Sequence, residues 1–254
     1  MKTEAVASAQ KGQEQIAAEW DAAADRRHEQ IISRKDLSFW HVLAPAIMEM
    51  LRSCDTRRVL DVGCGTGELT HLVAPTAKEV VGVDISARSV EIARQHNAAF
   101  RNVTFAVKNI EQIHLGGAEE RFTVVVAAMT LMTVPDLKRA VAGLASALIP
   151  GGSVVATITH PCFWPSYWGY NAAPWFAYEK EIFIEAPFRI SLETIDRVTT
   201  HIHRPLTMYL NVAAENGLSL EAVRELMPPP HAVNLYPEPW SAPRFLAMRW
   251  KKPD

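Results

Sequence analysis

Cysteine is scarce in this sequence: Cys54, Cys64 and Cys162 are the three in 254 residues. None forms a CxxC pair, so neither a disulfide framework nor a cysteine-rich zinc site is expected. HxxxH pairs and carboxylate clusters are also missing, so no metal is expected. No apolar run approaches the roughly 18 residues of a membrane span, which excludes an integral helical membrane protein. The first residues, MKTEAVASAQKGQEQ, lack the apolar core of a signal peptide. The expectation is a cytoplasmic chain with no membrane contact. An excess of one charge is absent too: 26 Lys plus Arg stand against 28 Asp plus Glu, a net charge of −2. Phosphate-driven binding uses a basic excess, so no nucleic-acid partner is expected. Hydrophobic residues at 48 % and charged residues at 21 % describe an ordinary globular chain and exclude wholesale disorder.

The pattern along the chain is helical first, then alternating. Residues 1 to about 15 read as frayed. Ile16, Trp20 and Ala24 share one helical face, and Leu43, Ile47, Met50 and Leu51 form a second apolar stripe, with Pro45 at a helix start or kink. From Arg58 onward strands alternate with helices. Strands are expected at 58–62, 79–84, 103–107, 122–128 and 153–159, and Ser86 reads as an N-cap. Residues 122–128 are apolar almost throughout, as in a central strand covered on both faces. A helix over about 205–215 and strands near 219–226 and 244–251 end the chain. Repeated βα units imply a parallel sheet with right-handed crossovers. The expected organisation is an N-terminal helical cap (1–54), a core (55–159), an aromatic-rich insertion (160–204) and a final helix and strands (205–254).

Asp61-Val-Gly-Cys-Gly-Thr-Gly67 lies between the first strand and its helix. Glycines there let a ligand approach the backbone closely. Their spacing is GxGxG, not the GxGxxG of dinucleotide sites. Asp61 beside the turn repels phosphate and suits a cation such as an α-amino group or a sulfonium. Asp84 ends the next strand, where a carboxylate can accept both hydroxyls of a ribose.

Val59 to Gly67 resembles motif I of class I S-adenosylmethionine-dependent methyltransferases. Val80-Val-Gly-Val-Asp84-Ile85-Ser86 resembles their following acidic motif. Phe122 to Leu131 with Val134-Pro-Asp136-Leu resembles the fourth-strand motif, and Leu148-Ile-Pro-Gly-Gly152 the turn after the next helix. The resemblance covers roughly residues 15–160 and points to the small-molecule branch. It implies a Rossmann-like, doubly wound, mostly parallel seven-stranded α/β sheet with S-adenosyl-L-methionine as cofactor. It places Gly63 and Gly65 beside the methionine moiety and Asp61 near the sulfonium and amino group. Asp84 would hold the ribose, Ile85 would pack on the adenine, and Ala128 and Met129 would line the methionine side. Asn109, followed by Ile110, stands where the family often has an Asp that reads the adenine amino group. Its carbonyl oxygen can accept the same hydrogen bond. Thr123 replaces the usual Asp of the fourth strand, at the end away from the site.

A small-molecule acceptor is expected at the C-terminal ends of the strands, beneath the insertion. Its methylated atom can be O, N or C. His160, directly after the fifth strand, is the candidate base or acceptor-orienting group. Eight aromatics crowd residues 163–178. Phe163, Tyr167, Trp168 and Tyr170 are candidate walls for an aromatic or heteroaromatic acceptor of secondary metabolism, although the insertion's own core accounts for half of such a cluster. Trp20-Asp-Ala-Ala-Ala24 resembles the family's YDxxA element, whose helix closes over the cofactor. Arg27 and His28 follow one turn later and can touch the cofactor carboxylate or the acceptor. His201 and His203 share a face if their segment is a strand and could both reach the pocket; a structural role for His203-Arg204 before the Pro205 helix start is the preferred reading, with His203 kept as a candidate acceptor contact. Two other readings stay open: methylation of a tRNA or protein, and a non-catalytic S-adenosylmethionine-binding protein. A homodimer is also left open.

Overall fold

Burial on both faces selects the strands at the centre of this fold. In the computed structural model, which describes residues 5–112 and 121–254, β2 (Arg58–Val62) sends alternate side chains into two separate apolar clusters. Val59 packs on one face of the sheet and Leu60 on the other, each with 2 % exposure or less. A strand apolar on both faces has to be covered on both, and helices do this here. β3 (Glu79–Asp84), β4 (Val103–Val107), β5 (Phe122–Ala128) and β6 (Leu148–Thr159) run parallel to β2. β10 (Phe245–Lys251) pairs antiparallel with β6, and β9 (Ser219–Leu226) pairs antiparallel with β10 at the edge. The order is β4-β3-β2-β5-β6-β10-β9. It reverses between β2 and β5, and in open α/β sheets the ligand crevice lies at that reversal.

The first glycine turn delivers α3 (Glu68–Val73), and Ser86 caps α4 (Ala87–His96) by accepting a hydrogen bond from the Ser89 amide. Asp136 caps α5 (Leu137–Ala147) in the same way through the Arg139 amide. α7 (Leu206–Glu215) packs beside α5. Thr123 ties the start of β5 to the backbone of Arg58 by accepting from its amide and donating to its carbonyl. β6 begins at Leu148 rather than at 153, because Pro150-Gly-Gly152 bulges out and the chain rejoins the ladder at Ser153.

The N-terminal region is α1 (Gln13–Ile32), a π-helical turn Phe39–Leu43, and α2 (Ala44–Leu51) with Pro45 in its first turn. The expected fraying up to residue 15 does not hold across the described residues. Val6–Ala7 forms β1 and pairs with Ile184 and Glu185. Main-chain pairing on an open edge needs no side-chain pattern, so this strand leaves no sequence signal. The insertion is likewise more than a loop. After the short α6 (Trp164–Trp168) it forms a hairpin, β7 (Ile182–Arg189) and β8 (Thr194–His203), which builds a second sheet ordered β1-β7-β8. Among the described residues no helix is long and apolar enough to cross a membrane.

Candidate active site

One large cavity opens at the β2–β5 reversal, between the main sheet, α1 and the hairpin. Asp61, Gly63, Gly65, Asp84, Ile85, Asn109, Ile110, Ala128 and Met129 all line it. The glycine turn is shaped by three consecutive left-handed glycines: Gly63 at φ +65°, Gly65 at +52° and Gly67 at +86°. A Cβ on Gly63 would lie 2.2 Å from the Thr130 hydroxyl, so that position is closed by packing. A Cβ on Gly65 would meet nothing within 4 Å and would point into empty space. Met129, also left-handed at φ +55°, is held by its amide, which donates to the Thr157 carbonyl at 2.9 Å. A left-handed non-glycine costs of order 1–3 kcal/mol, so its place at the cavity wall is bought elsewhere in the fold.

The acidic groups are arranged with unusual care. Asp84 accepts from the Gly65 amide through one oxygen and from the Ser86 amide through the other, each at 2.8 Å. Burial raises its pKa, while those amides and that of Ile85 oppose the rise. Asp61 is 3 % exposed. Its Oδ2 accepts from the Thr70 hydroxyl at 2.6 Å, and its Oδ1 has no partner. Burial pushes its pKa up to about 7, and the Asp84 and Glu68 charges add to the rise. The Asn109 carbonyl oxygen accepts from the Glu111 amide at 2.8 Å and retains a second lone pair.

α1 forms the roof. Asp21 accepts from the Ser86 hydroxyl at 2.6 Å and the Arg88 amide at 3.0 Å. Glu19 accepts from the Thr200 amide at 2.8 Å on the hairpin side. Trp20 lines the cavity and meets Phe188 of β7 edge-on, centroids 5.7 Å apart. Arg27 lines it too, paired with Asp36 at 2.5 Å. His28 does not reach the wall itself. Its Nδ1 lies 2.6 Å from Glu68, which does. That hydrogen bond raises the His28 pKa against the effect of burial.

The acceptor side departs from expectation at four residues. His160 lies outside the cavity. It is 2 % exposed, its Nε2 lies 3.1 Å from Glu225, and its Nδ1 accepts from the Cys162 amide at 3.2 Å. Strand alternation is the reason, because Thr159 turns into the cavity and its neighbour therefore turns away. Tyr170 is 3 % exposed and packs with Trp175 and Phe176, outside the cavity lining. His203 is 4 % exposed and donates through Nε2 to the Tyr178 carbonyl at 3.0 Å. Phe163 stacks on His160 at 4.6 Å and also misses the cavity. Tyr167 and Trp168 do line it, beside Trp164 and Phe245. The aromatic cluster is thus divided between a wall and the insertion's own core.

The wall also holds His201, which the alternation allowed to reach it, and two arginines that were not anticipated. His201 lines the cavity, 3.4 Å from the Tyr170 hydroxyl. Burial drives its pKa down to about 3, so it is neutral, and burial keeps the Tyr170 phenol protonated. That phenol can donate to Nε2, which leaves the ring hydrogen on Nδ1. Arg189 and Arg244 line the same side. The alternating Thr194–His203 segment was the available signal for His201. Nothing local marks the two arginines.

Residues 54–173 match the family model described as Methyltransferase domain. Fold, glycine turn and acidic pair resemble those of class I S-adenosylmethionine-dependent methyltransferase domains, the class whose cofactor is S-adenosylmethionine. The chain is 35 % identical over 143 residues to "Ubiquinone biosynthesis O-methyltransferase" of Alkalilimnicola ehrlichii, which covers 54 % of this chain and 56 % of that protein. It is also 35 % identical over 117 residues to "Demethylmenaquinone methyltransferase" of Tropheryma whipplei, covering 46 % and 48 %. The chain thus spans about half the length of the curated relatives it matches. A solved S-adenosylmethionine-dependent methyltransferase from Mesorhizobium loti superposes with a TM-score of 0.61 at 24 % identity, covering 82 % of this chain and 96 % of that one, and shares the fold.

The residues present fit this cofactor. The buried Asp61 Oδ1 is an acceptor without a donor, and a cationic ligand supplies one. The free space at Gly65 is a cradle that any side chain would narrow. Asp84 is aligned by two amides and keeps lone pairs for hydroxyls.

Proposed function

We propose that this chain transfers a methyl group from S-adenosylmethionine to an O, N or C nucleophile of a small planar acceptor, aromatic or heteroaromatic. The observation that carries the reading is one cavity with two unlike walls, glycines and carboxylates at one end, and Tyr167, Trp168, Trp164 and Phe245 at the other. The cofactor supplies an already activated methyl group, displaced in line from sulfur.

On this reading Asp61 binds the cofactor's cationic end and Asp84 its ribose. Asn109, Ile85 and Ile110 form the adenine wall. Trp20 and Phe188 exclude water from above. The rings of Tyr167 and Trp168 fix the plane of the acceptor, and His201 offers it a neutral hydrogen-bonding group. The contribution is chiefly positioning, which is a large part of catalysis when the leaving group is preactivated. The printed names of the curated relatives concern quinone biosynthesis, which supports an aromatic acceptor.

The test has two stages. Calorimetric titration with S-adenosylhomocysteine is expected to show binding that NAD and ATP do not match. A panel of phenols, catechols and N-heteroaromatics with methyl-labelled cofactor is then expected to give a labelled small product. A folded protein that ignores S-adenosylhomocysteine would refute the reading. Label recovered only in added tRNA or protein would move it to a macromolecular acceptor.

A further inference from the structure

Charges of like sign are grouped at two places on the cavity wall. Asp61 and Asp84 stand at the β2–β3 end. Arg189, at the end of β7, and Arg244, just before β10, stand on the acceptor side. The Arg244 guanidinium lies 3.6 Å from the Tyr167 ring centroid and 4.5 Å from that of Trp240. The Arg189 guanidinium lies 5.6 Å from the same Tyr167 centroid and 5.9 Å from that of Trp168. Two cations thus flank one aromatic wall.

Among the described residues neither makes an ion pair with a carboxylate. Among the described residues, Arg244 is 6 % exposed and its one hydrogen bond is a long one, from Nη2 to the Glu238 carbonyl at 3.4 Å. Arg189 makes no side-chain hydrogen bond or ion pair there. The third arginine on the wall, Arg27, is neutralised by Asp36. Lys108 also lines the cavity, next to Asn109 and exposed to solvent. Buried charges are normally paired, and ring faces replace only part of the lost hydration. Burial accordingly lowers the Arg244 pKa, opposed by Tyr167, Glu238 and Tyr236, while the nearby Arg189 charge adds to the fall.

We infer that the acceptor carries a carboxylate, held by Arg189 and Arg244 while its ring lies against Tyr167. The inference rests on the methyltransferase reading and narrows its acceptor class to aromatic acids. A guanidinium presents donors in a planar fork that matches a carboxylate, and at a site already lined by rings it does so edge-on to a planar molecule. The polarity also fits the reaction's charges, with a cation at the acidic end and an anion at the basic end. A neutral quinone or hydroquinone would leave both guanidiniums unpaired.

The test is titration of protein saturated with S-adenosylhomocysteine, using 3,4-dihydroxybenzoate, benzoate, their methyl esters, catechol and phenyl phosphate. The acids are expected to bind about 10- to 100-fold tighter than the esters, the range of one charge-assisted hydrogen bond. R189Q and R244Q are each expected to remove most of that preference while shifting S-adenosylhomocysteine affinity by less than about twofold, since they spare the other end of the cavity. R244K covers the case in which R244Q fails to fold. It keeps the charge but loses the fork and the stacking, and is expected to weaken acid binding in part. Esters or catechol binding as tightly as the acids, or no acid binding, would overturn the inference and leave the cofactor reading standing. A fall in S-adenosylhomocysteine affinity equal to the fall for acids would also overturn it, by assigning the arginines to the cofactor's carboxylate. Tighter binding of phenyl phosphate than of either acid would overturn the carboxylate in favour of a phosphate ester. Failure of the wild type to bind S-adenosylhomocysteine would instead refute the underlying function.

Discussion

Replacing Asp61 with Asn is expected to stabilise the protein without ligand and to weaken it as a binder. The side chain is buried, and its pKa is pushed from 3.8 up to about 7. The native state therefore prefers the protonated acid. Below about pH 4 folded and unfolded chains both hold this proton. Between about pH 4 and pH 7 only the folded chain does, so stability falls as pH rises, and above pH 7 the full loss is present. A shift of about three units at roughly 1.4 kcal/mol each makes that loss about 4 kcal/mol. Cofactor binding reverses the preference, because a cation beside Asp61 favours the carboxylate. Wild-type affinity for S-adenosylhomocysteine should rise with pH, by up to about tenfold per unit below the pKa. Urea unfolding at pH 5, 6, 7 and 8, with and without the ligand, reads both effects. D61N should lose the part of the pH dependence that Asp61 supplies, gain stability at pH 8 and bind less tightly. Thr70→Val removes the hydroxyl that holds the pKa down, and should move the wild-type midpoint upward. Equal pH slopes for wild type and D61N, or equal affinity at pH 8, would refute the argument.

Three further outcomes follow from the same geometry. Asp84→Ala should weaken S-adenosylhomocysteine binding by roughly 1.5–3 kcal/mol in calorimetry, the worth of a charge-assisted hydrogen bond. Gly63→Ala should lower the melting temperature, because its Cβ would meet Thr130 at 2.2 Å, whereas Gly65→Ala, facing open space, should cost binding beyond the strain of its φ. His160→Ala should cost about 1–3 kcal/mol in urea unfolding through lost packing and hydrogen bonds, with S-adenosylhomocysteine affinity unchanged.

The cofactor end was legible because it is built from consecutive residues. A strand, three glycines and the next strand's last carboxylate carry their geometry in their spacing. The sheet was legible for the same reason, since Val59 and Leu60 are apolar on both faces. The acceptor end comes from residues far apart in the chain. His160 follows a strand that points at the site, yet one step of alternation carries it to the opposite face. His201 shares a face with His203, but only the former stands on the wall, since the latter lies where β8 leaves it. Arg189 and Arg244 become neighbours of Tyr167 only through the pairing of β10 with β6 and the fold of the hairpin.

The roof helix α1 is fastened on two sides within a single turn. Asp21 holds it to the residues just after Asp84, and Glu19 holds it to Thr200 of the hairpin. On the proposed function, one strut therefore covers the nucleoside and braces the acceptor wall. Exchange of either small molecule requires the same fastenings to part, so their residence times on the protein are linked. A substitution such as Asp21→Ala should shorten both stays together, and turnover set by product departure would then quicken even as affinity declines.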